Sequence, residues 1–121
     1  MISEQRAAIA AIALVMNSQS AVNSIYSYKS SSYVNFSITL NNNILNAYDY
    51  GRGCYIAGTA SAHNNFNLYD YGTSAYVSLI VTKDCFSGYD YNSGYHFSGT
   101  IKSNFVSFYD HQTSKYDSFS A

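Results

Sequence analysis

The sequence predicts an all-β repeat protein that begins with one helix, and three kinds of pattern carry this prediction. A Tyr-Asp-Tyr motif recurs along the chain at a nearly constant interval. Apolar and polar residues alternate between the motifs, as they do along half-buried strands. Residues 1–21, by contrast, are rich in Ala, Ile, Leu and Val and contain neither Gly nor Pro. We therefore divide the chain into an N-terminal helix at 1–21 and a β domain of five repeats at 22–121.

The N-terminal segment has high helix propensity from Glu4 to Met16, and two interpretations of it stay open. In the first, Ala7 to Met16 is the apolar region of a secretory signal, and Arg6 is its positive flank. In the second, the segment is a retained amphipathic helix that covers the open end of the stacked repeats. The apolar stretch is shorter than the roughly 20 residues that a membrane span needs, so we predict no transmembrane span.

The repeat has four clear copies and one degenerate copy upstream of them. The copies start at Tyr26, Tyr48, Tyr69, Tyr89 and Tyr109, which lie 22, 21, 20 and 20 residues apart. The residues of the four clear motifs are Tyr48, Asp49, Tyr50, Tyr69, Asp70, Tyr71, Tyr89, Asp90, Tyr91, Tyr109 and Asp110. A second aromatic column, seven residues after a start, comprises Tyr33, Tyr55, Tyr76 and Tyr116. Because a unit of this length cannot bury an apolar face alone, the copies are expected to pack on one another.

Each copy is predicted to fold as strand, turn, strand, turn. Gly, Asn, Asp and Ser, which favour turns, follow each motif and recur half a repeat later. Successive side chains of a strand point to opposite faces, so the two Tyr of a motif share one face and the Asp lies on the other. The Asp face is otherwise apolar, as Leu45 and Ala47 before Asp49 illustrate. One face of each strand is therefore core, whereas the other carries Tyr, Ser and Asn.

Two topologies satisfy this alternation. A β-solenoid of five strand-turn-strand repeats places equivalent residues of successive copies above one another at about 4.8 Å. An antiparallel β-meander packed on the helix is the alternative. The solenoid explains why Tyr recurs over Tyr at a fixed period, so the sequence favours it.

Composition excludes several classes of function. Charged residues make up 11% of the chain and the net charge is −1, which argues against a nucleic-acid partner. The chain has one Glu and shows neither a phosphate-binding loop nor a nucleophile motif, so we predict no enzyme activity and no cofactor. Its three His and two Cys have no recognised ligand spacing, so we predict no metal site.

The Asp and Tyr columns each allow a functional and a structural interpretation. A file of carboxylates is either a cation-binding or pH-sensing ladder, or a set of turn caps that accept backbone N–H bonds. Turn capping is the favoured interpretation. The Tyr rows are either platforms and contact faces, on which sugars or another copy stack, or simply good strand formers with wet hydroxyls.

The repeats resemble those of curlin, the secreted subunit of curli fibres, over residues 22–121. Curlin repeats are also strand-turn-strand units, with an inward Gln two residues before a turn Gly. Asp49 with Gly51 and Asp70 with Gly72 occupy these two positions here. In the second strand, the inward Gln of the family is replaced by Ile38, Ala60, Val81 and Ile101. The resemblance implies an extracellular matrix fibre that assembles from copies of one chain.

From these patterns we predict an extracellular or cell-surface structural subunit that polymerises with itself into an amyloid-like fibre or surface layer for adhesion or biofilm formation. The predicted mechanism is edge-strand addition, in which another copy pairs with the free N–H and C=O groups at a solenoid end. The alternative is a small Tyr-faced repeat module that binds glycans or another surface.

Overall fold

The computed structural model describes all 121 residues, which form ten antiparallel strands closed into a barrel around one helix. The helix α1 spans Ser3–Ser18. The strands are β1 Ser24–Ser27, β2 Ser32–Asn41, β3 Ile44–Asp49, β4 Cys54–Ala62, β5 Asn65–Asp70, β6 Ala75–Thr82, β7 Cys85–Asp90, β8 Tyr95–Lys102, β9 Phe105–Asp110 and β10 Lys115–Ser120. Each strand pairs with the next one along the chain, and β1 pairs with β10 to close the sheet.

The predicted β-solenoid is wrong. The two strands of a copy are neighbours in one sheet rather than opposite walls of a core, and Tyr48 of β3 therefore pairs with Tyr55 of β4. Strand β4 then separates Tyr48 from Tyr69, so equivalent residues lie two strand spacings apart, at about 10 Å, and do not stack. The alternative meander has the observed connectivity, but the sheet closes, and the helix lies inside it rather than against one face.

Helix α1 occupies the interior of the barrel. Every residue from Gln5 to Met16 is buried, on all sides of the helix. A helix that is apolar all round needs contacts in every direction, and a closed wall supplies them. The alanines of this segment keep it narrow, so that ten strands enclose it as larger barrels enclose a central helix. The helix contacts β1 and β2 on one side and β6 on the opposite side.

The helix also links the two ends of the barrel. Near its start, the Gln5 amide donates to Asp70 at 2.7 Å. Near its end, Asn17 bonds the backbone N–H of Asp84, in a turn at the other end, at 3.1 Å. The helix therefore fills the repeats along their whole height instead of covering one open end, as the retained-helix interpretation supposed. It does not combine the length and the apolar character that crossing a membrane requires.

The inward faces of the strands complete the core around the helix. Leu45, Ile56, Leu68, Val77 and Leu79 are at most 1% exposed, as the alternation predicted. Larger rings gather on one side, where Phe97 and Phe108 stack with their centroids 5.3 Å apart. Gly99 makes room there, since a Cβ at this position would lie 2.2 Å from the Phe86 ring.

Because the helix is enclosed, Ala10→Leu should destabilise the fold, whereas the same change at the exposed Ala62 should not. Overpacking a dense core typically costs about 1–3 kcal/mol, and exposed positions usually stay within about 0.5 kcal/mol. Urea unfolding followed by far-UV circular dichroism measures both. Equal midpoints for the two variants would show that Ala10 does not lie in a closed interior.

Candidate functional site

Inward carboxylates and outward tyrosine rings lie at the same end of the barrel, the end at which α1 begins. Strand alternation turns the Asp of each motif into the barrel and the two Tyr outward. The inward carboxylates, which we call the aspartate ring, belong to Asp49, Asp70, Asp90 and Asp110 and are at most 2% exposed. The structure thus brings together at one end the motif residues that the sequence singled out.

Each carboxylate of the aspartate ring caps the turn that follows it. One oxygen accepts the backbone N–H two residues ahead, from Gly51 at 3.0 Å, Gly72 at 2.8 Å, Asn92 at 3.2 Å and Gln112 at 2.9 Å. A short acidic side chain reaches these donors without distorting the strand. The geometry is the one that the turn-capping interpretation expects.

Arg52 bridges two members of the ring. Its guanidinium donates to Asp49 at 2.9 Å and to Asp70 at 2.9 Å. Burial alone would lower the pKa of Arg52, but the bonds to Asp70 and Asp49 outweigh it and raise the pKa above its ordinary value. Arg52 therefore stays charged and ties Asp49 to Asp70 at one side of the barrel end.

Helix α1 supplies the cations for the other side. Arg6 donates to Asp110 at 3.0 Å and to Asp117 at 3.1 Å. The ammonium of Met1 lies 3.4 Å from Asp110 and 3.7 Å from Asp90. The positive end of the helix dipole points into the same group of carboxylates. Three cations of the protein, Arg6, Arg52 and the Met1 ammonium, therefore face the four carboxylates of the ring.

The charge on Asp110 follows from these contacts. Burial by itself would raise the pKa of this carboxyl. The N–H of Gln112, the Arg6 guanidinium and the Met1 ammonium together hold it below its ordinary value of 3.8. Asp110 is therefore a counter-ion inside the barrel.

The geometry does not favour the alternative interpretation, in which the carboxylates form a ladder that binds an external cation. Copies of the motif do not stack, and the ring already contacts Arg6, Arg52 and the N-terminal ammonium. The structure groups no three His, Cys, Asp or Glu side chains in the manner of metal ligands.

Five aromatic clusters surround the same end on the outer face, and we call them the tyrosine belt. In each, the first ring of the motif lies between a ring two residues later and a ring directly opposite on the next strand. The clusters are Tyr26–Tyr28–Tyr33, Tyr48–Tyr50–Tyr55, Tyr69–Tyr71–Tyr76, Tyr89–Tyr91–His96 and Tyr109–His111–Tyr116. Their ring centroids lie 4.7 to 5.0 Å apart and most pairs meet edge to face.

The belt exposes its rings unevenly. The central ring of each cluster is half-buried by its neighbours. The flanking rings project into solvent, with Tyr33 and Tyr116 each 69% exposed, Tyr50 61% and Tyr71 60%. This concentration of exposed aromatic surface, repeated at one level around the barrel, indicates an interaction surface rather than scattered single residues.

Two shallow grooves descend from the belt along the outer face. One, of about 360 Å³, is lined by Ser37, Thr39, Asn46 and the cluster around Tyr48. The other, of about 590 Å³, includes Asn46, Thr59, Asn67 and the cluster around Tyr69. No charged side chain lines either groove. Both offer rings, hydroxyls and amides, and the larger one adds the apolar side chains of Ile44, Leu45 and Ala57.

Sequence reasoning missed the partners of the aspartate ring. The sequence predicts for Arg6 only the flank of a secretory signal, and it predicts no role for Gln5 or Arg52. A polar pair inside an otherwise apolar helix was the available signal, since such residues are buried only when they are paired. Four acidic residues in the inward column were the matching half of that signal.

Asp110→Asn should destabilise the protein at neutral pH, by about 1.5–3 kcal/mol, because Arg6 loses one of its two carboxylate partners and the Met1 ammonium loses its nearer one. The folded-state pKa of Asp110 is lowered, so its contribution is fully present above 3.8 and is lost as the pH falls through the lower folded value. The difference in unfolding free energy between wild type and variant should therefore narrow below pH 3.8. Urea titrations between neutral and acid pH measure it.

Asp84→Asn is the matched control, since Asp84 is exposed and lies in a turn at the other end of the barrel. The unfolding free energy of Asp84→Asn should follow that of wild type at every pH. A gap between wild type and Asp110→Asn that stays constant through the acid range would contradict the assigned counter-ion role.

The chain matches no family model, no curated protein and no solved structure. The likeness to curlin repeats therefore stays a prediction drawn from residues 22–121. The geometry of the aspartate ring, the tyrosine belt and its grooves is what supports a function.

Proposed function

We propose that the protein is a small binding module whose tyrosine belt recognises neutral polysaccharides. The observation that carries the proposal is the belt itself: five aromatic clusters around one end of a rigid barrel, each presenting exposed rings. Flat rings stack on the C–H faces of sugars, and a Tyr hydroxyl adds a polar edge. Rigid strands hold the rings in place, so little conformational entropy is lost on binding.

The surroundings of the belt favour a neutral, hydroxylated ligand. The two grooves below it carry Ser, Thr and Asn side chains and no charge. Such side chains donate and accept hydrogen bonds, which suits the hydroxyl groups of a glycan. The repetition of one cluster around the barrel also suits a polymer, because several weak sites on one rigid body bind a repeating ligand by avidity.

A fibre or surface-layer subunit is the second candidate function. Edge-strand addition needs unpaired strands, and in the closed barrel β1 and β10 pair with each other. The observation in its favour is the short seam, where only Tyr26 with Ser120 and Ser27 with Phe119 are in register. Self-assembly of this kind requires the seam to open first, whereas binding through the belt requires no change of fold.

The glycan proposal is tested by retention on insoluble cellulose, chitin, starch and mannan. Wild type should be retained on at least one polymer. The variant Tyr50→Ala/Tyr71→Ala/Tyr91→Ala removes three rings that are 61%, 60% and 59% exposed. Its affinity for the same polymer should fall by at least about tenfold. The loss follows from missing stacking contacts, because these rings are not part of the core.

The control variant is Ile80→Ala, which removes an exposed apolar side chain that belongs neither to the belt nor to the two grooves. It should be retained as wild type is. Retention of wild type no better than that of serum albumin on all four polymers would overturn the proposal. Filaments in negative stain of concentrated wild type, in place of discrete particles, would favour the second candidate.

A further inference from the structure

We infer that the barrel opens, beside the degenerate first repeat, into a pocket that receives the terminal sugar of a neutral glycan chain. This inference rests on the proposed function and gives it a specific subsite. The pocket, which we call the first-repeat mouth, has a volume of about 420 Å³ and lies between the start of α1, the turn after β1 and the turn after β3. Pockets of roughly 300–1,000 Å³ at barrel mouths are where small ligands commonly bind.

The mouth exists because the first copy lacks the features that close the others. The place of the motif Asp is taken by Ser27, which is only 7% exposed. Its short side chain accepts the N–H of Ser30 at 3.3 Å but extends no carboxylate towards α1. Each of the other copies fills this place with an Asp that caps its turn, and most of these carboxylates also meet a cation of the protein.

The pairing between β2 and β3 is also incomplete beside the first-repeat mouth. Strand β2 pairs with β3 only from its fifth residue, Phe36, whereas β4, β6 and β8 pair with the following strand from their third residue. The last bond across the gap runs from the N–H of Tyr50 to the carbonyl of Asn35 at 3.1 Å. The two turns therefore diverge beyond Asn35, and the space between them leads from the tyrosine belt down to the helix.

The lining matches one sugar ring held between aromatic groups. Tyr33 and Tyr50 both line the mouth and are 69% and 61% exposed, so both rings are accessible to a sugar in the pocket. Hydroxyls of Ser3, Ser30 and Ser32 line the pocket as well. Helix α1 has no side-chain cap at its N-terminus, so its first turn adds donors for sugar oxygens.

The charges of the lining select against acidic sugars. Arg52 pairs with Asp49 at 2.9 Å and with Asp70 at 2.9 Å, so its one positive charge is shared between two carboxylates. Glu4 is the remaining charged residue of the lining and has no cationic partner. The lining thus carries two carboxylates and one shared cation and is net negative, so a neutral sugar should bind better than its uronate.

The test restores the repeat consensus with Ser27→Asp. A carboxylate here fills the mouth and adds a like charge beside Asp49. Isothermal titration with tetrasaccharides of cellulose, chitin, starch and mannan measures the pocket, and retention on the insoluble polymers measures the belt. Ser27→Asp should weaken tetrasaccharide binding at least tenfold and leave polymer retention unchanged. The control Ser87→Asp places the same charge on the outer face of β7 and should change neither.

A second variant keeps the test informative if Ser27→Asp fails to fold. Ser3→Phe blocks the mouth from the exposed start of α1, without touching the wall, and should also lose the tetrasaccharide. Tetrasaccharide binding that survives both variants would overturn the inference and leave the proposed function standing. So would a wild type that is retained on polymer but binds no tetrasaccharide. Absence of retention on every polymer would instead remove the proposed function, and the inference with it.

Discussion

Enclosure of an apolar helix by a closed sheet is the constraint on which the rest of the structure depends. From Ala7 to Met16 the helix is apolar on every face, so a single sheet face would leave half of it exposed to water. Closing ten strands around it satisfies the helix and removes both sheet edges at once. Close packing of the interior then fixes which residues fit, with Ala along the helix and Gly99 beneath the Phe86 ring.

Placing a helix inside a barrel also buries its positive N-terminal end. The inward Asp carboxylates of the repeats offset the free-energy cost of burying that charge. A buried cation is tolerated only with a partner, and Arg6 finds Asp110 and Asp117. The same Asp caps its own turn, so one residue type serves both the strand and the helix. Strand alternation then obliges the neighbouring Tyr to face outward. The exposed tyrosine belt is therefore a consequence of the inward Asp that pairs with the helix. The first copy has Ser27 in place of this Asp and so lacks the carboxylate.

The sequence predicted the local structure well and the closure wrongly. Alternation around Leu45, Ala47 and Asp49 predicted their inward faces, because the period of a strand does not depend on its partners. The same alternation is compatible with a solenoid, a meander or a barrel, so it did not determine the topology. The decisive signal was in the helix, where Ile9, Ala10 and Ala11 are all apolar and lie on different faces. Such a helix suits an interior, whereas an end cap needs one polar side.

Amide hydrogen exchange along α1 tests the central claim most directly. If the helix lies inside the closed wall, its amides between Ala8 and Val15 exchange only when the whole protein unfolds. Their protection should then equal that of the slowest strand amides and match the unfolding free energy from urea. Exchange of these amides by local opening, well ahead of the strands, would contradict an enclosed helix and the account built on it.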